Sequence, residues 1–279
     1  MKKINLSAVC FIFVILSTFF GCQKYPNITK VIKNDFNNHY EAVNWFAFYK
    51  ENGINSVSQG GDSIIVEAAE TGNLNLVKAT VKDGATVNLY VKQTAVYAAA
   101  RNRFYDIVDY LLKQNASPYV YDAQQKRYNF DLIQLGVLLM DLDLLELVVP
   151  YYSLQELDFS VDNKPKLFER GLGFGLGGSS VYVSIETVEE MILLLDYLSS
   201  SKIKLSYWDL DTLAGNITYI NNDIRNYDIT PMFVNMTKKV LEYYLTQDSY
   251  KRCLEPNFNW DDISTSTSRL QRYINTMRN

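Results

Sequence analysis

The apolar positions of this chain fall into a pattern that occurs twice. Ala68, Ala69, Gly72, Leu76, Val77, Thr80, Val81, Gly84, Ala85 and Asn88 return as Ala99, Ala100, Arg103, Ile107, Val108, Leu111, Leu112, Asn115, Ala116 and Tyr119, each 31 residues later (99 − 68 = 31; 116 − 85 = 31). Such a period marks a stacked repeat, because a unit this short cannot bury its apolar face alone. In the second copy Phe104, Ile107, Val108, Leu111 and Leu112 stand at i, i+3, i+4, i+7 and i+8, one face of an α-helix. The same template laid at Asn73 gives Leu76, Val77, Thr80 and Val81, and laid at Asp141 it gives Leu144, Leu145, Val148 and Val149. The third unit follows after 37 residues (141 − 104 = 37), which places six extra residues (37 − 31 = 6) in the connection around Asp122 to Tyr128. The small residues Ala68-Ala69 and Ala98-Ala99-Ala100 predict a shorter helix before each longer one, with side chains compact enough for close helix approach. Gly84 and Asn115 close the longer helices, and these residue types most readily take the left-handed C-terminal conformation.

The flanks read differently. Gln23 to Phe36 is polar, with Lys24, Lys30, Lys33 and one Pro, and is expected to be a tether whose lysines rest near anionic lipid. Glu41 to Tyr49 carries Val43, Trp45, Phe46, Phe48 and Tyr49 and predicts a helix ended by Gly53 that caps the first repeat. Beyond residue 157 the periodicity weakens. Ser184 caps an expected helix over Ile185 to Leu198, with Glu186, Glu189 and Glu190 in its first turns. Thr230-Pro231 opens another that runs to about Leu245, and Asp261 or Asp262 begins a last helix towards Met277. The expected organisation is a leader over 1–21, a tether over 22–36, a capping helix within 37–63, repeats over 64–157, and a helical region of diverged repeats or a cap over 158–279. The fold class is all-α, a helical solenoid with a degenerate C-terminal region.

Thr94-Ala95-Val96-Tyr97-Ala98-Ala99-Ala100 and Gly84-Ala85-Thr86-Val87-Asn88 carry a specific resemblance. They resemble the opening Thr-Pro-Leu-His-x-Ala-Ala and the closing Gly-Ala-Asp-x-Asn of the ankyrin repeat, with Ala95 for Pro, Tyr97 for His and Thr86 for Asp. The resemblance covers roughly residues 64 to 122, and a degenerate form reaches about 157. It implies helix pairs joined by hairpin-like connections, and a domain that binds proteins by its hairpin tips and concave edge.

The first residues are of another kind. Lys2 and Lys3 precede an apolar run from Ala8 to Phe20, broken by Ser17 and Thr18 and ending in Gly21-Cys22, too short for a comfortable membrane span. This resembles a bacterial lipoprotein signal peptide, with Gly21 before the Cys and Phe19 and Phe20 departing from the usual residues. The resemblance implies cleavage before Cys22 and acylation of its thiol, with diacylglyceryl and palmitate chains that hold a protein stably at a membrane of the cell envelope, periplasmic or surface-exposed. An ordinary secretory signal cut nearby and an uncleaved anchor are the other readings of this segment.

Composition narrows the function classes. The chain has 279 residues, 27 basic and 31 acidic; without residues 1–21, which hold two lysines and no acid, the balance is 25 against 31, or −6. Nucleic acid is therefore an unfavourable partner, since phosphate binding needs a basic face. With Cys10 removed and Cys22 acylated, Cys253 is the one remaining thiol and no internal disulfide can form.

Little catalytic chemistry is in view. Gly171 to Gly178 holds five glycines among eight residues, yet no Lys-Ser/Thr follows it and no clear strand precedes it, so a flexible connection or close helix crossing accounts for it better than a phosphate loop. His39 is the single histidine and precedes the repeats, and Cys253 has no neighbouring Cys or His. Asp209 with Asp211, and Asp141 with Asp143 and Glu146, stand at expected helix starts, where acids are common without any metal. No cofactor or metal is expected. Tyrosine stands out, with 21 in the chain. Tyr90, Tyr119 and Tyr121 fall at the ends of successive units near the hairpin tips, with Lys92 and Arg127 beside them, and this set is the candidate partner-binding surface. An AT-rich coding bias, which raises Tyr, Asn, Ile and Lys everywhere, is the competing explanation. The expected function is a membrane-anchored module that binds a protein. The alternatives are an envelope enzyme using Asp209, Asp211 or tyrosines on a substrate such as glycan, a structural envelope protein, and a membrane-held immunity factor that inhibits a toxin.

Overall fold

The computed structural model describes residues 25–34, 40–58, 61–122, 124–161, 164, 166–168, 185–223, 230–255, 258–259 and 268–278. Cys22 and the leader, His39, the glycine run, Ser184, Asp261 and Asp262 lie outside the described residues. The chain divides into two compact units, residues 1–117 and 118–279. Among the described residues no helix is long and apolar enough to cross a membrane.

The first unit contains α1 (Pro26–Asn34), α2 (Tyr40–Asn52), α3 (Ile64–Glu70), α4 (Leu74–Lys82), α5 (Ala95–Arg101) and α6 (Tyr105–Lys113). The short helices α3 and α5 bury Ala68, Ala69, Ala98, Ala99 and Ala100 completely and pack on one another, the close approach that their lack of side-chain bulk permits. The longer α4 and α6 bury Leu76, Val77, Thr80, Ile107, Val108, Leu111 and Leu112. Thr80 is tolerated in this core because its hydroxyl donates to the Val77 carbonyl at 2.7 Å. The helix ends repeat as well as the faces do. Asn73 N–H reaches back to the Ala68 carbonyl, Phe104 N–H to Ala99, Ala85 N–H to Thr80 and Ala116 N–H to Leu111. Each closes a Schellman turn around a left-handed residue, Gly72, Arg103, Gly84 and Asn115 respectively. Gly72 is doubly required: its φ is +74°, and a Cβ there would stand 2.7 Å from Cζ of Phe104. Gly53 ends α2 with φ +105°, 31 residues before Gly84 (84 − 53 = 31), so the register of the repeat begins before residue 64.

Residues 26–34 correct the expectation of a tether. They form α1, which packs on α4 with Ile28 and Ile32 buried. The helix forms because Tyr25, Ile28 and Ile32 share one face, and because Asp83 supplies acceptors for its first turn. Asp83 accepts the Asn27 N–H at 3.1 Å, the Asn27 side-chain amide at 2.5 Å and the Ile28 N–H at 2.8 Å.

The second unit opens with a two-stranded antiparallel sheet, β1 (Tyr119–Asp122) and β2 (Arg127–Asp131), then α7 (Leu132–Leu138) and α8 (Leu142–Val148). The sheet departs from the all-α expectation, although the unit remains predominantly helical. It occupies the connection where six extra residues were expected: the added length lets Tyr119, Val120 and Tyr121 pair with Asp131, Phe130 and Tyr128, with a bulge between Val120 and Tyr121. α7 and α8 form the third helix pair, with a Schellman turn around Met140 (φ +51°), 37 residues after Arg103 (140 − 103 = 37). The remaining helices are α9 (Ile185–Ser200), α10 (Tyr207–Asp223), α11 (Thr230–Leu245), α12 (Asp248–Lys251) and α13 (Ser268–Arg278). α11 packs on both α9 and α10, and α13 packs on α10. With 16, 17 and 16 residues, α9 to α11 do not share the lengths of the seven- and nine-residue pairs.

Candidate interaction surface

The connection between α4 and α5 is held by side chains of the neighbouring turns. Thr86 N–H donates to Asn55 Oδ1 at 2.7 Å, and Asn88 Oδ1 in turn accepts the Ser117 N–H at 2.7 Å while its amide donates to the Asn115 carbonyl at 3.0 Å. Thr94 closes the connection as the N-cap of α5. Between these anchors Tyr90, Val91 and Lys92 are exposed, and the Lys92 stem lies against Gly61. A short loop pinned at both ends presents an aromatic ring without the entropy that a loose loop would lose on binding.

In the second unit the hairpin carries a run of tyrosine rings. Tyr121 is 45% exposed, and its ring centroid lies 5.1 Å from that of Tyr128, which lies 5.6 Å from Tyr119, which lies 5.9 Å from Tyr152. Lys164 reaches over Tyr128 at 5.8 Å and Phe159 at 4.8 Å. Tyr119 is not part of an open surface: its hydroxyl donates to Glu156 Oε1, and this bond, reinforced by burial, pushes its pKa up to about 12. Burial alone would raise the Glu156 carboxyl, yet the hydrogen bonds from Tyr119 and Ser153 hold it below its ordinary value. Of the five residues expected to form the surface, Tyr90 and Lys92 are exposed in the first unit and Tyr121 in the second. Tyr119 is engaged internally, and the Arg127 side chain lies outside the described residues.

The inner end of the hairpin holds a group that sequence reasoning missed. Asp131 is 1% exposed; Oδ1 caps α7 through the Ile133 N–H at 2.8 Å and lies 3.0 Å from the Tyr152 hydroxyl, while Oδ2 is buried without a partner. The Tyr152 hydroxyl is also 3.1 Å from the Pro118 carbonyl, so one hydroxyl proton faces two acceptors. Burial pushes the Asp131 pKa up to about 6, against the bonds it accepts from Ile133 and Tyr152. Asp131 stands one helix-pair interval after Thr94 (131 − 94 = 37), and that register is the signal that would have marked it as a cap.

The acids considered for chemistry are caps as well. Asp209 accepts the Phe168 N–H at 2.9 Å, the Ser206 N–H at 2.9 Å and the Ser206 hydroxyl at 2.6 Å, and burial raises its pKa. Asp211 accepts the Arg269 and Leu270 N–H groups at 2.8 Å each, starting α13, and pairs with Arg269 Nε at 2.9 Å. Asp141 caps α8 through the Leu144 N–H at 3.0 Å. Among the described residues no group of three or more His, Cys, Asp or Glu could hold a metal ion. Cys253 is fully buried and burial pushes its thiol up, the opposite of an activated nucleophile.

Residues 31–122 match the family model of ankyrin repeats, in three copies. The match begins ahead of the segment that resembled this repeat in sequence and takes in α2 and the left-handed Gly53. No curated protein and no solved structure matches the chain. The chain thus carries ankyrin repeats over 31–122 within a predominantly helical fold, and repeats of this kind are protein–protein interaction modules.

Proposed function

We propose that this protein is a lipid-anchored ankyrin-repeat module that binds another protein at the bacterial cell envelope, attached to its membrane through acylated Cys22. The observation that carries the binding reading is the exposure of Tyr90 in the first unit and of Tyr121 in the second. They stand at the same register position of successive connections (121 − 90 = 31) and both are exposed, whereas Tyr152 is buried and Tyr119 and Tyr128 are half-buried. Exposed tyrosines on pinned connections supply contact area at low entropic cost. The lipid reading rests on Lys2-Lys3, the apolar run to Phe20 and Gly21-Cys22. An enzyme built on Asp209 and Asp211 is disfavoured, because both carboxylates are buried and committed to helix starts.

The test is a crosslinking pull-down from cell membranes with the native chain and a Tyr90→Ala, Tyr121→Ala variant that circular dichroism shows to be folded. One protein recovered with the native chain and lost with the variant is expected. Equal recovery moves the surface elsewhere on the chain, and recovery of no protein contradicts the binding reading.

A further inference from the structure

We infer that α1 seats the repeat unit directly on the membrane, with Lys30 and Lys33 facing anionic lipid headgroups; this rests on the proposed acylation of Cys22. Tyr25 is 6% exposed, its ring lies edge-on to Phe46 at a centroid distance of 6.1 Å, and its hydroxyl accepts the Ile54 N–H at 3.0 Å. Ile28 and Ile32 are buried, and Asp83 holds the first turn of the helix by three hydrogen bonds. The chain is therefore committed to the folded unit from Tyr25 onward. Three peptide steps separate Tyr25 from Cys22, and even fully extended they reach about 11 Å.

The exposed residues of α1, Pro26, Lys30, Lys33 and Asn34, stand at i, i+4, i+7 and i+8 and form the face opposite Tyr25, Ile28 and Ile32. The apolar face is used by the fold, so α1 meets the bilayer by charge and not by insertion. The anchor lies at most about 11 Å from Tyr25, so with α1 along the surface its lysine side chains come within about one Debye length of the headgroups. The chain without residues 1–21 carries a net charge of −6 (25 − 31), so an anionic surface repels most orientations of the protein and admits a basic edge.

The test uses the full acylated chain, purified from membranes and placed in vesicles of phosphatidylcholine alone or mixed with phosphatidylglycerol. An Asn34→Cys substitution takes a fluorophore, since Cys253 is buried and Cys22 is acylated, and spin-labelled lipid quenches it if α1 lies on the surface. The expected result is strong quenching that rises with phosphatidylglycerol. A Gly/Ser linker inserted between Lys24 and Tyr25 should sharply reduce it. Lys30→Gln with Lys33→Gln should lower the seated-to-unseated ratio by about 30-fold and remove the dependence on phosphatidylglycerol. Mass spectrometry of the N-terminal peptide separates the two layers. Acylated Cys22 with equal quenching in the native and linker chains overturns the seating alone, and an unmodified Cys22 overturns both.

Discussion

The two units solve the same problem, satisfying polar groups around a helical core, by different means. In the first unit most devices recur at the repeat interval, Schellman turns at Gly72, Gly84, Arg103 and Asn115 and an ion pair between Glu70 and Arg101, 31 residues apart, at 2.7 Å, and the exception is Asp83, which caps α1 from 55 residues away. In the second unit, polar side chains reach across long sequence distances. Asp211 caps a helix that starts 57 residues later (268 − 211 = 57), and the Tyr244 hydroxyl faces the Leu198 and Ile203 carbonyls, at 2.9 and 2.7 Å. Tyr250 donates to the Leu205 carbonyl in the same manner. Much of the tyrosine richness therefore has an internal purpose: a ring fills the core while its hydroxyl satisfies a carbonyl exposed by a helix end or bend. Stability distributed by register tolerates loss of one contact, whereas stability concentrated in a few buried groups does not.

The largest effect should come from breaking one of those concentrated groups. Asp211→Ala removes the acceptor of two N–H groups and the partner of Arg269, and is expected to cost about 2–3 kcal/mol. Hydrogen exchange at Leu270 and Ile274 should rise by orders of magnitude while α3 to α6 stay protected; uniform deprotection of both units would contradict the division.

Asp131 gives the second unit a pH dependence of its own. Its folded pKa of about 6 lies above the ordinary 3.8, so the folded state holds the proton more tightly and stability falls as pH rises through that window. The loss is about 2–3 kcal/mol between about pH 4 and about pH 7. Glu156 and Asp158 run the other way, with lowered pKa values whose contribution is lost on acidification. Urea titrations of the native chain and Asp131→Asn at both pH values cancel those terms: the difference between the two proteins should change by this amount, and parallel pH dependence would refute the assignment.

A smaller cost is expected in the repeats. Gly72→Ala meets the Phe104 ring and a positive φ, about 1–2 kcal/mol in a urea titration, while the same change at Gly84 meets no atom within 4 Å and pays only the backbone strain. Smallest of all is Tyr121→Ala, expected to move stability by less than about 0.5 kcal/mol because its ring is nearly half exposed and its ring contact is at the hairpin surface, with Tyr128. A loss above about 1 kcal/mol would mean that Tyr121 serves the fold rather than a partner.

This contrast also explains what was legible in the sequence. The helix pairs, the closing turns at Gly84 and Asn115 and the position of the six-residue insertion follow from periodicity and residue type, which are local. Arg103 and Met140 adopt left-handed backbone without being Gly or Asn, because the turn imposes the conformation on whatever residue occupies it. The helix at 26–34 was unreadable because its cap, Asp83, lies 55 residues beyond Ile28 (83 − 28 = 55). The engagement of Tyr119 by Glu156, 37 residues on, was hidden for the same reason, whereas Tyr90 and Tyr121 needed only their register to be found.

The most direct test of the binding account places a photo-crosslinking residue at Tyr90, at Tyr121 and, as a control, at exposed Leu193 on α9, in living cells. The account predicts one and the same protein crosslinked from positions 90 and 121 and none from 193; crosslinking at 193 alone, or no protein at either tyrosine position, would contradict it.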